Sequence, residues 1–173
     1  TLRWLDDLPS WQGMLDCWAM CYEMAGVGKL DRLFFPFSFG PFLGFWTAFE
    51  AATRQGILAV PGGGLSSEAR LRMAADVDAT VLLGTPSYLI HLGEKAKEGG
   101  TRVPKPRLLI VAGEPGGSIP ATRKRLETLW NARVIDHSGM TEVGPVTVEC
   151  VENPGGLHIL ESRYLAEILD PQT

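Results

Sequence analysis

The 173-residue chain holds only three cysteines, Cys17, Cys21 and Cys150, and only three histidines. So sparse and odd a cysteine set fits a reducing compartment better than a disulfide-stapled secreted scaffold. No charged-then-apolar leader opens the chain and no run approaches about 18 apolar residues, so neither a signal segment nor a membrane-spanning helix is expected. The expected location is the cytoplasm. A net charge of -4 gives no reason to expect a nucleic acid partner. Repeats and low-complexity tracts are missing too. So is a G-x-S-x-G elbow, because Asp136 stands where its first glycine belongs, and 61-PGGGLSS-67 lacks the lysine of a P-loop. What remains is an ordinary globular composition, 45% hydrophobic, in a chain long enough to bury a core without a metal or disulfide staple.

The periodicity changes along the chain. From Ser10, the positions Trp11, Met14, Leu15, Trp18, Cys21, Tyr22 and Ala25 follow helical spacing up to the stop signals Gly26 and Gly28. A short apolar run, 32–37, precedes a helix over 40–56 that is apolar on most of its circumference and must be buried. Strands are expected at 57–62, 79–84, 107–114 and 133–137, alternating with helices at 66–77, 86–99 and 118–130. Near-continuous apolar strands separated by amphipathic helices predict an α/β fold, a mainly parallel sheet covered by helices on both faces. Thr85 before Pro86, and Ser118 before Pro120, read as hydroxyl caps of the last two helices. After Gly144 the runs 146–151, 157–160 and 164–169 predict a short antiparallel β meander, and 99–106 an exposed loop. The expected division is an α/β core over 1–145 and the start of a β-rich subdomain over 146–173.

In such a sheet, ligands bind beyond the carboxyl ends of the strands. Five polar clusters fall there: 38–40, 62–67, 85–88, 114–118 and 136–142. The last, in 133-RVIDHSGMTEVGP-145, is the richest. Its Thr141 hydroxyl beside the Glu142 carboxylate suits a phosphate oxygen and a hard Mg2+ ion, and Gly139 allows close backbone approach to a ligand, with a polar turn and a capping Thr as the alternative for this segment taken alone. Cys17 and Cys21 read as packed core thiols and His91 as a surface or packing residue. Cys150, His158 and His137 form a candidate zinc set, with structural roles the alternative. Arg123, Lys124 and Arg125 read as a solvated helix face, with coenzyme A phosphate binding as a minor alternative.

The string DHSGMTEVGP, preceded by AGEPGGSIPATRKRLETLW and followed by EC, GLHI and YLAEILDP, resembles the phenylacetate–coenzyme A ligase branch of the adenylate-forming enzymes. The resemblance covers nearly the whole chain. It implies an acid plus ATP giving an acyl-adenylate and pyrophosphate, then attack by the coenzyme A thiol. Carried over by motif, Thr141 contacts the adenylate phosphate, Glu142 holds Mg2+ and Asp136 lies beside the adenine amino group. His137, Ser138, Gly139 and Met140 complete the nucleotide cradle, with Gly113, Glu114 and Pro115 along the other side of the adenine. Phe37, Ser38, Phe39 and Gly40, with Thr85, Pro86, Ser87 and Tyr88, become the walls of the acid pocket. The expected partners are a small aromatic or acyl carboxylic acid, ATP and coenzyme A, with a homodimer left open. The aromatic neighbourhood of Phe34, Phe35, Phe37, Phe39, Phe42, Phe45 and Trp46 is compatible with an aryl acid.

One departure stands out: the family signature has an aromatic ring that stacks on the adenine where this chain has Ser138. That serine favours non-catalytic ligand binding as the competing reading, and related enzymes supply a third, adenylyl transfer to another acceptor such as a deazaflavin coenzyme. The resemblance also places the phosphate loop before Thr1, and the ribose-binding Asp, hinge and lysine-bearing domain after Thr173. The isolated 173-residue chain is accordingly expected to hold the pockets without completing adenylation.

Overall fold

The computed structural model describes residues 5–40, 43–100 and 102–170. Among these residues five helices, α1 (Leu8–Met24), α2 (Leu43–Arg54), α3 (Ser67–Asp76), α4 (Pro86–Glu98) and α5 (Pro120–Trp130), surround seven strands. These are β1 (Arg32–Phe35), β2 (Leu58–Pro61), β3 (Val81–Gly84), β4 (Leu108–Val111), β5 (Arg133–Met140), β6 (Gly144–Glu149) and β7 (Leu157–Ile159). They form one sheet in the order β2-β1-β3-β4-β5-β6-β7. The first five strands run parallel, while β6 and β7 add antiparallel to its far edge. The mainly parallel α/β architecture expected from the alternating runs is therefore present.

Side-chain alternation divides the core into two layers. Leu33, Phe35, Leu83, Ile110 and Ile135 face α1 and α2, whereas Phe34, Leu82, Leu109, Val111 and Val134 face α3, α4 and α5. Ring donors tie α1 to α2: Trp18 Nε1 donates to the Gly44 carbonyl at 3.1 Å and the Tyr22 hydroxyl to the Ala48 carbonyl at 2.7 Å. Cys17 and Cys21 are buried in this layer as core thiols, as their helical spacing implied. Burial pushes the Cys21 thiol far above its ordinary pKa, which keeps it protonated and inert.

The order of the strands locates the crevice. From β1 the chain moves outward to β2, then returns across β1 to β3 and continues to β4 and β5. The carboxyl ends of β1 and β3 therefore flank the point where the winding direction reverses, the place where open α/β sheets bind ligands. At the opposite rim the chain is closed by a matched polar cluster. Asp31 accepts from Arg107 Nε at 2.9 Å, Arg107 Nη2 at 2.7 Å, the Thr80 hydroxyl at 2.7 Å and the Gly28 N–H at 2.9 Å. Burial alone would raise the Asp31 pKa, but these donors outweigh it and the net shift is downward.

Several local expectations are corrected. The 133–137 strand extends to Met140 because β6 pairs with it, so the polar run Asp136 to Met140 lies in a hairpin strand, not in a loop beyond one. The run 164–169 forms no strand. No described neighbour offers it a ladder, and Leu165, Ile168 and Leu169 are exposed. Neither hydroxyl cap forms: the Thr85 side chain makes no cap bond and Ile119, not Ser118, is the α5 cap residue. The expected helix start at 40–42 lies partly outside the described residues, as does Thr101 in the 99–106 loop.

Candidate functional site

A cavity of about 550 Å3 opens at the switch point, a volume in the range of small-molecule sites. Its walls come from separate segments: Phe37, Ser38 and Phe39 after β1, Thr85 and Tyr88 after β3, and Ala112 and Gly113 after β4. The β5–β6 hairpin adds His137, Gly139, Met140, Thr141, Gly144 and Pro145. Trp18 from α1 and Leu43, Gly44 and Phe45 from α2 close it from the helix layer. Rings pack edge-on or tilted around it, with Phe37 and Phe45 centroids 4.9 Å apart and Phe35 and Phe39 5.8 Å apart. The result is a largely apolar hollow with hydroxyls of Ser38, Thr85 and Thr141 along its wall.

Ten of the predicted site residues thus meet at one cavity. Gly40, Pro86, Ser87, Glu114, Pro115, Asp136, Ser138 and Glu142 are not among its wall residues. Trp18, Leu43, Gly44, Phe45, Ala112, Gly144 and Pro145 were not singled out as site residues. For Trp18 a signal existed, a large ring on the buried stripe of α1, but helical spacing alone cannot separate a core ring from a cavity wall.

Strand alternation splits the Asp-His pair. Asp136 points to the α5 side, where its carboxylate accepts from the Ser118 hydroxyl and fits against Gly117; a Cβ there would come within 2.4 Å of the Asp136 side chain. Behind it lies a network that no single motif announced. Glu149, fully buried, accepts from the Asp136 N–H at 2.9 Å, from the Gly155 N–H at 2.6 Å and from Arg123. Arg123 donates further to the carbonyls of Gly117 at 2.8 Å and Val134 at 2.9 Å. The expectation of a solvated Arg123 is therefore corrected: its charge is turned inward to a partner 26 residues away in sequence.

His137 points the other way. Its ring stands edge-to-face against Trp18, with centroids 4.6 Å apart, and against Phe45 at 6.5 Å. Among the described residues neither Nδ1 nor Nε2 has a hydrogen-bond partner of ordinary geometry. Burial, opposed only in part by the Ser138 backbone, lowers its pKa from 6.5 to about 4, so the ring is neutral at physiological pH. An unpaired buried polar group of this kind costs about 1–3 kcal/mol. The candidate zinc set does not assemble. His158 Nε2 and Cys150 Sγ lie 3.1 Å apart, but His137 sits among aromatic rings, and no cluster of three metal-binding side chains exists among the described residues.

Around the rim, Glu114 replaces the missing helix cap: its Oε1 accepts from the Ser87 N–H at 2.6 Å, placing a carboxylate on the positive end of α4. Tyr88 accepts from Arg70, which also donates to the Gly62 carbonyl at 2.8 Å. Ser138, on the exposed side of the hairpin, exchanges a 2.7 Å hydrogen bond with Thr147. At Gly139, which lines the cavity, a Cβ would lie 2.5 Å from the Gly144 carbonyl oxygen, so its own hairpin already makes one close approach there. Thr141 and Glu142 occupy the turn, exposed, and their side chains make no hydrogen bond or ion pair among the described residues. The Glu142 carboxylate on this turn and the Thr141 hydroxyl, which lines the cavity, are hard oxygen donors of the kind Mg2+ and phosphate require.

No family model matches the chain. It is 28% identical over 172 residues, 97% of its length, to a phenylacetate-coenzyme A ligase of Pseudomonas putida. The corresponding ligase of Escherichia coli is 28% identical over 171 residues, 96% of the chain. The chain spans 38% of the length of each of these relatives. Among solved structures, 2-hydroxyisobutyryl-CoA ligase bound to 2-HIB-AMP and CoA in its thioesterification state superposes with a TM-score of 0.80 at 25% identity. That match covers 91% of this chain and 35% of the ligase.

Proposed function

Because the chain belongs to the adenylate-forming acyl-coenzyme A ligase superfamily, with sequence relatives among phenylacetate-coenzyme A ligases, we propose that it supplies the acid pocket and part of the adenylate cradle of an ATP-dependent aryl or acyl acid–coenzyme A ligase acting in the cytoplasm. In the proposed reaction a carboxylate oxygen attacks the α-phosphorus of ATP and pyrophosphate leaves. The coenzyme A thiol then attacks the acyl carbonyl, and AMP leaves as the thioester forms.

The observation that carries this reading is the aromatic cavity at the switch point, lined by Thr85, Gly113 and Thr141 as well as by Phe37, Phe39 and Phe45. The rings would hold the acyl part and exclude water, and the hydroxyls of Thr85 and Thr141 would orient the carboxylate and adenylate phosphate. Asp136, already accepting one hydrogen bond from Ser118, retains acceptor capacity for the adenine amino group. The segment Gly113, Glu114 and Pro115 would line the other side of the base. Glu142, unpaired on the turn, is the carboxylate that would hold Mg2+; when bound, the ion neutralises phosphate charge. One protein carboxylate plus substrate phosphates is a usual way of holding this ion. The division into a core over 1–145 and a β-rich subdomain from 146 belongs to the same proposal.

Acid-dependent ATP–pyrophosphate exchange, measured on the full-length protein that carries this chain against a panel of aryl and alkyl acids, tests it. Exchange with aryl acids supports the ligase. A flat panel together with measurable AMP binding would replace it with the second reading, a non-catalytic nucleotide-binding relative. That alternative is favoured by one observation: Ser138, paired with Thr147, offers no ring for the adenine.

A further inference from the structure

We propose that Arg70 is a positioning residue of the acid pocket: it clamps the Tyr88 ring to the loop that follows β2, and the clamped ring sets the size of acid that fits. The inference rests on the acid-pocket reading above and goes beyond it by giving a role to a side chain that does not line the cavity.

Its basis is where the Arg70 donors go. Half-buried on α3, Arg70 makes no ion pair among the described residues. Its guanidinium donates instead to the Tyr88 hydroxyl and, through Nε at 2.8 Å, to the Gly62 carbonyl, while Cζ lies 5.6 Å from the centroid of the Tyr88 ring. Both partners are neutral, so these contacts fix a shape and cancel no charge. A guanidinium suits that task because its planar fork presents several donors in fixed directions.

The two ends of the clamp differ in how firmly they are seated. Gly62 is buried, and a Cβ there would come within 2.7 Å of Phe34. The next two residues hold Ser38: a Cβ on Gly63 would lie 3.2 Å from Ser38 Cα, and the Gly64 N–H donates to Ser38 Oγ at 3.2 Å. Tyr88, by contrast, stands half-buried in the first turn of α4, and its stacking partner His91 is exposed. Arg70 is the one hydrogen-bond partner of the Tyr88 hydroxyl among the described residues. Ser38 and Tyr88 both line the cavity, from the segments after β1 and β3. The loop after β2 thus ties together two walls of a cavity that it does not itself line. A wall whose rotamer is locked from behind keeps one pocket size, and a released one does not.

ATP–pyrophosphate exchange on the full-length protein that carries this chain, run with phenylalkanoic and straight-chain alkanoic acids of increasing length, tests the proposal. The proteins compared are wild type, Arg70→Leu, Tyr88→Phe, Tyr88→Ala and the double variant Arg70→Leu with Tyr88→Ala. Arg70→Leu is expected to raise KM for the preferred acid roughly 10-fold, the worth of one hydrogen bond to a charged group, while KM for ATP stays within about twofold. The preference across acid lengths should narrow by a similar factor. Tyr88→Phe keeps the ring and removes only the oxygen that Arg70 holds, so it should reproduce part of the acid effect. In the Tyr88→Ala background, Arg70→Leu should change the acid KM by no more than about twofold, because its route through the ring is gone. An unchanged acid KM and length preference in Tyr88→Phe overturns the proposal even if Arg70→Leu does not fold. Equal rises in both KM values for Arg70→Leu, or independent effects in the double variant, overturn it as well, and all three outcomes leave the acid-pocket reading intact. Wild-type protein that exchanges with no acid overturns both.

Discussion

Asp136 and His137 are neighbours in sequence yet belong to two differently built halves of the molecule. On the α5 side of β5, Asp136 joins Ser118, Glu149 and Arg123 in a set whose charges and donors are matched. On the α1 and α2 side, His137 faces rings, and neither ring nitrogen has a hydrogen-bond partner of ordinary geometry among the described residues. One step along a strand separates a polar brace from an apolar receptor. The difference teaches where to look for function in this fold: matched polar groups hold the loops, and the unmatched one stands at the cavity.

Breaking the brace should have the largest effect. Glu149→Ala leaves the Arg123 guanidinium, only 18% exposed, without its buried partner, and removes the acceptor for two backbone N–H groups. A loss of about 3–5 kcal/mol is expected from urea denaturation, the range for breaking a buried ion pair on one side. The sheet should survive in a destabilised form, because its two apolar layers do not include Glu149.

The receptor side should show itself through pH. With a pKa of about 4 in the folded chain against about 6.5 unfolded, His137 binds its proton more readily when the chain is unfolded. The stability it contributes is complete above about pH 6.5 and is lost as pH falls toward about 4, a span worth about 3 kcal/mol. Carboxylates titrate at the acid end of this window, so the informative quantity is the difference between wild type and His137→Leu. That difference should grow as pH falls from 7 to 4. At pH 7 the variant should be more stable by about 1–2 kcal/mol, because an unpaired polar ring is gone. A variant less stable than wild type throughout the window would show that the ring is matched in a way the structure lacks.

Ser138→Tyr sharpens the comparison from the exposed side of the hairpin. It exchanges the Ser138–Thr147 hydrogen bond for a ring able to lie on an adenine. If nucleotide affinity is limited by that missing ring, AMP should bind more tightly by about 1–3 kcal/mol, the worth of one base–aromatic stack. Unchanged AMP binding in calorimetry would mean that the base does not sit over this strand.

What could be anticipated from residues alone follows the same division. The four-residue strands β3 and β4 are fully buried apolar runs, and local pattern identifies such runs directly. Ten predicted site residues meet at one cavity because loops after parallel strands share a rim. What was hidden depended on distant partners. Arg123 looked solvated because Glu149 lies far along the chain, and Thr85 looked like a cap because Glu114, which takes that place, comes from the next strand's loop. Asp136 to Met140 looked like a loop because hairpin pairing with β6, not local apolarity, makes it a strand. His137 was readable as a polar residue but not as an unpaired one, since that requires knowing every neighbour.

The smallest expected effect joins the two halves at Ser118. Its hydroxyl donates to the Asp136 carboxylate, and Ser118 is exposed, so Ser118→Ala should cost only about 1 kcal/mol of stability. The same change removes a donor that competes for that carboxylate. An adenine amino group would then meet an acceptor whose partner in the free protein is gone, so AMP affinity should rise by about twofold to threefold even as stability falls. Opposite signs for these two measurements, urea midpoint down and AMP affinity up, are the signature of Asp136 serving both the brace and the base. A parallel fall in both would confine Asp136 to the brace.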